Sequence, residues 1–265
     1  MKPFRKACIA CLLLASGTTA WATDTNVTVL EEPSEKSVKF FKAQVENNRS
    51  LSNAINSLLS RYPDKTAEFV SIALSAYPEE YKEIISASVS TNPMFVDEII
   101  MVANKYQVTK PAEIVEIAVN AEPSYAEVAT RAACKYSPEY FNEIVRTAVH
   151  AEPDSADQIA QKLVRAYPSK TMEILVTTIK EVPFVGKYVL DALLATVEED
   201  SEQSENMIIV SVEQLADYPD ALERLVQLAN EHDIDSDKVM QSAIKGGTEE
   251  KDIIALIEKH YELKE

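Results

Sequence analysis

Glycine, tryptophan, histidine and cysteine are scarce in this chain of 265 residues, which holds 4, 1, 3 and 3 of them respectively. Phosphate-cradling loops and nucleophile elbows need the backbone freedom of glycine. Accordingly there is no glycine-rich phosphate loop, no Gly-x-Ser-x-Gly and no Cys/His dyad spacing. No cofactor or metal site is expected, and the chain reads as non-catalytic. Long apolar runs are missing too. The most apolar stretch beyond the N-terminus, residues 184–197, is interrupted by Lys187 and Asp191, whereas a membrane-spanning helix needs roughly 20 apolar residues.

The first 22 residues have the three parts of a cleavable secretory signal. Lys2, Arg5 and Lys6 precede an apolar run over residues 7–15, and small residues end in Ala20, Trp21 and Ala22. Cleavage is expected after Ala22, with the mature chain in the periplasm or secreted. Cys8, Cys11 and Trp21 leave with the signal, and Cys134 then stands alone, so no intrachain disulfide is possible. Its column in the pattern described below is apolar, which predicts a buried, inert thiol. Removal of the signal leaves 23 basic against 43 acidic residues, a formal charge of −20. Such a field repels phosphate backbones and anionic lipid. Nucleic acid is therefore not an expected partner.

What the chain has is rhythm. Proline stands at 33, 63, 78, 93, 123, 138, 153, 168 and 183, a fifteen-residue beat that misses only at 48 and 108. A fixed period is the mark of a repeat protein whose units must stack to bury their apolar faces. Counted from the proline, positions 4, 7, 8, 11 and 12 are mostly apolar, which is one helical stripe and not the alternation of a strand. Proline suits the first helical turn and pushes the residue before it out of the α region. Each unit is thus a helix of about eleven residues, too short to be stable alone.

Units also alternate. Those starting at 63, 93, 123 and 153 end in SAY, KYQ, KYS and RAY, and those at 78, 108 and 138 end in STN, NAE and HAE. The true repeat is then a thirty-residue helical hairpin, and the expected fold is an all-α, right-handed α-solenoid with two layers. The pattern is similar to short HEAT-like helical repeats, and it fits neither the roughly 34-residue tetratricopeptide unit nor the roughly 33-residue ankyrin unit. Val108 replaces one proline, with Pro111 arriving three residues late while Glu113, Ile114 and Ala118 keep their columns, so a local variation in one helix start is expected there.

The expected organisation is a signal over 1–22, a disordered segment over 23–32, the repeat array over 33–197, an acidic loop over 198–205, and capping helices over 206–265. Two helices are predicted between residues 184 and 217 and three beyond, about fourteen in all. The last is expected to be charged on its outer face, as a terminal cap.

Two candidate surfaces stand out. Position 6 carries Glu68, Glu83, Glu98, Glu113, Glu143 and Glu173, and position 13 of alternate helices carries Lys105, Lys135 and Arg165. Equivalent positions thirty residues apart line up along a solenoid. The residues Lys105, Lys135, Arg165, Glu83, Glu113, Glu143 and Glu173 thus form a candidate partner-binding stripe; the alternative is a solvated face with weak ion pairs. Tyr62, Tyr77 and Tyr167, each directly before a proline, form a candidate aromatic ladder, or else pack as staples on the following turn. The run 233–237 begins like a calcium loop, but Lys238 stands where glycine is needed and Ile244 where the bidentate glutamate belongs, so helix capping is the better account. His232 and His260 sit in nearby columns and would allow at most a surface zinc site.

The function that follows is an exported adaptor or assembly factor that binds another envelope or secreted protein. The alternative is a structural or self-assembling surface component; a metal-binding or enzymatic helical toroid ranks third.

Overall fold

A computed structural model describes residues 32–198 and 201–261. The expected signal, its cleavage site and nearly all of the expected disordered segment lie outside the described residues. Those described contain fifteen α-helices and no strand. They are α1 (Glu35–Asn48), α2 (Leu51–Arg61), α3 (Thr66–Ala76), α4 (Tyr81–Thr91), α5 (Val96–Tyr106), α6 (Pro111–Ala121), α7 (Ala126–Tyr136) and α8 (Phe141–Ala151). There follow α9 (Ala156–Ala166), α10 (Thr171–Glu181), α11 (Gly186–Leu194), α12 (Glu202–Gln214), α13 (Pro219–Glu231), α14 (Ser236–Gly246) and α15 (Glu250–Tyr261).

The fifteen-residue period has a simple physical composition. Tyr62, before the proline, sits at φ −134° and ψ 64°, outside the α region, and its N–H closes the previous helix on the Leu58 carbonyl at 2.9 Å. Pro63–Lys65 then form one 3₁₀ turn, held by the Lys65 N–H on the Tyr62 carbonyl at 3.0 Å. Eleven α-helical residues follow, and the cycle restarts at Tyr77. The same succession recurs at Pro78, Pro93, Pro123, Pro138, Pro153 and Pro168, and at Pro183 the 3₁₀ turn leads into a helix of nine residues. Proline therefore opens a 3₁₀ lead-in and not the α-helix itself. Its missing N–H costs nothing in either position.

Helices two apart stack on one another throughout, α1 on α3 on α5 to α15, and α2 on α4 on α6 to α14, while consecutive helices pack across the gap. The expected helical solenoid with two layers is what forms, an odd layer and an even one. Its core runs unbroken between them. Ile84, Ile99, Ile114, Ile144, Ile159 and Ile174 are fully buried there, as are Ala73, Ala103, Ala133 and Ala148 within rounding. Small residues at position 11 let adjacent helices approach closely. A close approach also falls at Gly246, where a Cβ would lie 2.2 Å from the Glu213 carbonyl oxygen of the helix beneath.

Polar contacts tie many of the helices to the one two places on. Ser71 and Tyr106 hydroxyls meet at 2.7 Å, the Asn92 amide donates to the Leu59 carbonyl at 3.2 Å, and the Ser137 hydroxyl donates to Asn104 at 3.1 Å. Ion pairs Lys82–Glu113, Glu127–Lys162, Glu205–Lys238, Glu213–Lys245 and Glu223–Lys259 repeat the theme.

Two expectations need correction. The acidic loop is shorter than 198–205, because the Ser201 hydroxyl caps the Ser204 N–H and Glu202–Gln214 is already helix; acids in a first turn are favoured by the helix dipole. The helix count is fifteen among described residues, since residues 35–61 hold two complete helices before the first regular turn. On the last helix Glu250, Lys251, Asp252, Glu258 and Lys259 are all exposed, and two isoleucines of the last pair are exposed as well. Ile244 on α14 and Ile254 on α15 are 41% and 38% exposed.

Candidate functional site

Connections between helices fall on two edges of the solenoid. At one edge odd helices end and even helices begin, through the turns around Tyr77, Gln107, Tyr136 and Tyr167; at the other, even helices hand over to odd ones, around Tyr62, Asn92, Glu122 and Glu152. Over the middle repeats the two edges differ in charge. Over residues 75–83, 105–113, 135–143 and 165–173, the odd-to-even edge carries 6 lysine or arginine and 7 glutamate residues. The corresponding windows of the opposite edge, 60–68, 90–98, 120–128 and 150–158, carry 2 basic and 9 acidic residues. In this middle part of the array the odd-to-even edge is close to charge balance and the opposite edge is acidic; farther along, the α11–α12 and α13–α14 connections of the odd-to-even edge, with Glu198, Glu202, Glu231, Asp235 and Asp237, are acidic too.

Lys105, Lys135 and Arg165 occupy the same position of α5, α7 and α9, which stack in order, so they form a row along this edge, all exposed. Lys135 reaches Asp97 of the helix beneath at 3.9 Å and lies 4.7 Å over the ring of Tyr136, whose phenolic oxygen accepts from it at 3.2 Å. The ammonium is held, and its pKa raised, by that hydrogen bond first and by Asp97. The acidic residues of the expected stripe do not join this row. Glu83, Glu113, Glu143 and Glu173 belong to α4, α6, α8 and α10 in the other layer. Two of them clamp the stack. Glu83 accepts from the Ser52 N–H at 2.9 Å and its hydroxyl at 2.5 Å. Glu113 accepts from Lys82 at 2.7 Å, from Tyr81 at 3.0 Å and from Thr109, a set of donors that holds its pKa down at about 2. Glu173 pairs locally with Lys170 at 2.9 Å and Glu68 with Lys65 at 3.3 Å. Burial pushes the carboxyl of Glu98 above its usual value, helped by Asp97.

The structure also divides the tyrosine ladder. Tyr77 and Tyr167 lie on the odd-to-even edge and Tyr62 on the opposite one. All three pack on a neighbouring ring: Tyr77 on Phe41 at 6.3 Å, Tyr167 on Phe141 at 5.4 Å, and Tyr62 on Phe69 at 6.1 Å. What joins Tyr77 and Tyr167 along the edge is Tyr106 and Tyr136, half-buried in the turns between them.

Within the regular part of the array, α3 to α10, the turn fails once on this edge. Where Val108 replaces proline, no 3₁₀ lead-in forms; Gln107 takes the left-handed conformation at φ 49°, and α6 starts directly at Pro111 with no capping side chain. Between this opened loop and the turn at Tyr136 lies a cavity of about 550 Å³, lined by Met101, Asn104, Lys105, Gln107, Thr109, Lys110, Pro111, Tyr136, Ser137, Glu139 and Tyr140. The missing proline was its signal in the sequence. A skipped beat shows that a turn changes but not that space opens beneath it.

Elsewhere the described residues hold no group of three metal ligands. Asp235 caps α14 through the Asp237 N–H at 2.8 Å, and His260 lies 3.3 Å from Glu223. Cys134 is buried, and burial lifts its thiol to about 12. The fold defines a helical-repeat solenoid, with a short row of cations on one edge of its middle repeats. No protein-family model matches the chain, and no curated protein or solved structure matches it either.

Proposed function

We propose that this chain is an exported, non-catalytic solenoid that binds another envelope or secreted protein as an adaptor or assembly factor, with the odd-to-even edge as its working face. One observation carries the reading: in the middle of a chain of formal charge −17, Lys105, Lys135 and Arg165 recur at the spacing of the stack along one edge, beside Tyr77, Tyr106, Tyr136 and Tyr167. A rigid row of cations beside aromatic rings suits an extended acidic segment of a partner, since complementary charge raises encounter rate and fixes register. Nucleic acid is disfavoured by the acidic field of the whole molecule. Export rests on the N-terminal signal pattern, and N-terminal sequencing of the protein recovered from the periplasm or medium should begin at Thr23.

The binding reading is tested by in vivo crosslinking and affinity capture of the tagged mature protein, with a Lys105→Glu, Lys135→Glu, Arg165→Glu triple variant alongside. One dominant partner captured by the wild type and lost in the variant is expected. Equal capture by both would place the binding face elsewhere.

Exposed Ile244 and Ile254 on the last two helices favour a second reading, a self-assembling structural component. Light scattering across a concentration series separates the two, because only self-assembly gives a mass that grows with concentration.

A further inference from the structure

We infer that the C-terminal end of the solenoid receives the first helix of a second copy of this chain, so that molecules join head to tail. The proposal deepens the self-assembly reading and rests on it. Helix α14 packs on α12 and α15 on α13, and both stacks end there among the described residues. Three lysines mark the inward side of this last pair. Lys238 and Lys245 of α14 reach Glu205 and Glu213 of α12 at 2.5 and 2.9 Å, and Lys259 of α15 reaches Glu223 of α13 at 2.5 Å.

Roughly 100 to 160° around the two helices from those lysines come Met240, Ile244, Ile254 and Ile257, which therefore face away from the array. Ile244 and Ile254 are 41% and 38% exposed, and Met240 and Ile257 are half-buried. A terminal repeat ordinarily turns a polar face to water. This one keeps apolar side chains on both walls of the groove in which the next helix of a longer array would lie.

Charge selects the occupant. With three lysines bound to the helices beneath, the outer surface of residues 236–261 is left with exposed Asp237, Glu249, Glu250, Asp252 and Glu258 against Lys251. The same end of a second copy would set these acids against one another, a juxtaposition that costs affinity. The opposite end of the chain is complementary. Residues 33–61 carry five basic and two acidic residues, all of them exposed, on a chain of formal charge −17. There α1 buries Phe41 and leaves Phe40 48% exposed, with Lys36, Lys39 and Ala43 exposed on the same helix within one turn of it. An exposed ring beside two lysines suits an apolar groove rimmed by acids, the helix-in-groove mode of recognition. Helix α1 has fourteen residues, and one such helix in a two-helix groove buries on the order of 1,000 Å² in total, the small end of specific interfaces. The association is accordingly weak, and because the two surfaces differ it does not close on itself as a twofold dimer does.

Sedimentation velocity of the mature protein, carried into the hundreds of micromolar that a contact of about this size calls for, tests the proposal. The mass should rise past the dimer. Ile254→Asp at one end, and Lys36→Glu with Lys39→Glu at the other, should each raise the concentration for half-association about tenfold. An equimolar mixture of these two variants should form dimers at the wild-type concentration and stop there, because each keeps one intact end; that recovery also shows both to be folded. A wild-type mass that stops at the dimer, with the lysine variant unaffected, would overturn the head-to-tail contact in favour of joined C-terminal ends. Growth unchanged in both variants would overturn this interface and leave self-assembly standing. A mass that never grows would overturn both, and partner capture with the triple variant would still decide the adaptor reading separately.

Discussion

The carboxylate of Glu113 on α6 lies 2.7 Å from the ammonium of Lys82 on α4, thirty-one positions earlier in the chain. With Tyr81 and Thr109 also donating to it, this acid joins two successive thirty-residue repeats across one layer. The sign of its pH effect follows. A carboxyl whose pKa falls on folding, here from 4.5 to about 2, stabilises the fold above its unfolded pKa and loses that contribution as pH drops through the folded value. Glu113→Gln should lower stability at pH 7 by on the order of 1 kcal/mol, the usual scale for a partly exposed pair. The deficit should shrink between pH 4.5 and 2. Denaturant melts of both proteins across that range check it; a deficit that is constant with pH would show that lost packing, not charge, is responsible.

Ile144 is fully buried between the layers, as are its equivalents Ile84, Ile114 and Ile159. Ile144→Lys should cost about 4 kcal/mol or more, because the ammonium has no partner in the stacked core. Ile144→Val, which removes one methyl group, should cost about 1 kcal/mol. Thermal melts of the two variants give the comparison.

Cys134 is inaccessible and its thiol stays protonated far above neutral pH, with burial lifting it to about 12. Native protein at pH 8 should therefore resist a thiol-labelling reagent, and labelling should follow the unfolding curve in denaturant. Rapid labelling of the folded protein would mean that the α7 region opens locally.

Gly246 lets α14 lie against α12 with no room for a methyl group. Its Cβ would meet the Glu213 carbonyl oxygen at 2.2 Å and the Ala216 Cβ at 2.5 Å. Gly246→Ala should cost about 1 to 3 kcal/mol as an overpacked contact. Stability in a stacked array is set by nearest neighbours, so hydrogen exchange should rise first in α14 and α15.

Much of the architecture was legible because proline and the apolar stripe act locally. The residue before each proline leaves the α region whatever surrounds it, so Tyr62, Asn92 and Tyr167 announce their turns in the sequence alone. Apolar residues at positions 7, 8, 11 and 12 fix which side of each short helix is buried, and Ile144, Val145, Ala148 and Val149 are buried accordingly. The two end-forms of the units likewise mark the two layers. The site was less legible. Spacing placed Lys105, Lys135 and Arg165 in one row, but it also grouped them with Glu83 and Glu113, which the chain reversal sends to the other layer.

The amino-acid sequence by itself determined the period, the helices and the stacking order, since each follows from dihedral limits and burial within one or two units. Tertiary structure alone decided which charges share an edge, that Tyr62 and Tyr77 lie on opposite sides, and that the missing proline at 108 opens a cavity. Those properties depend on how side chains thirty residues apart meet across stacked helices, and such a distance is set by packing and not by any local preference of the chain.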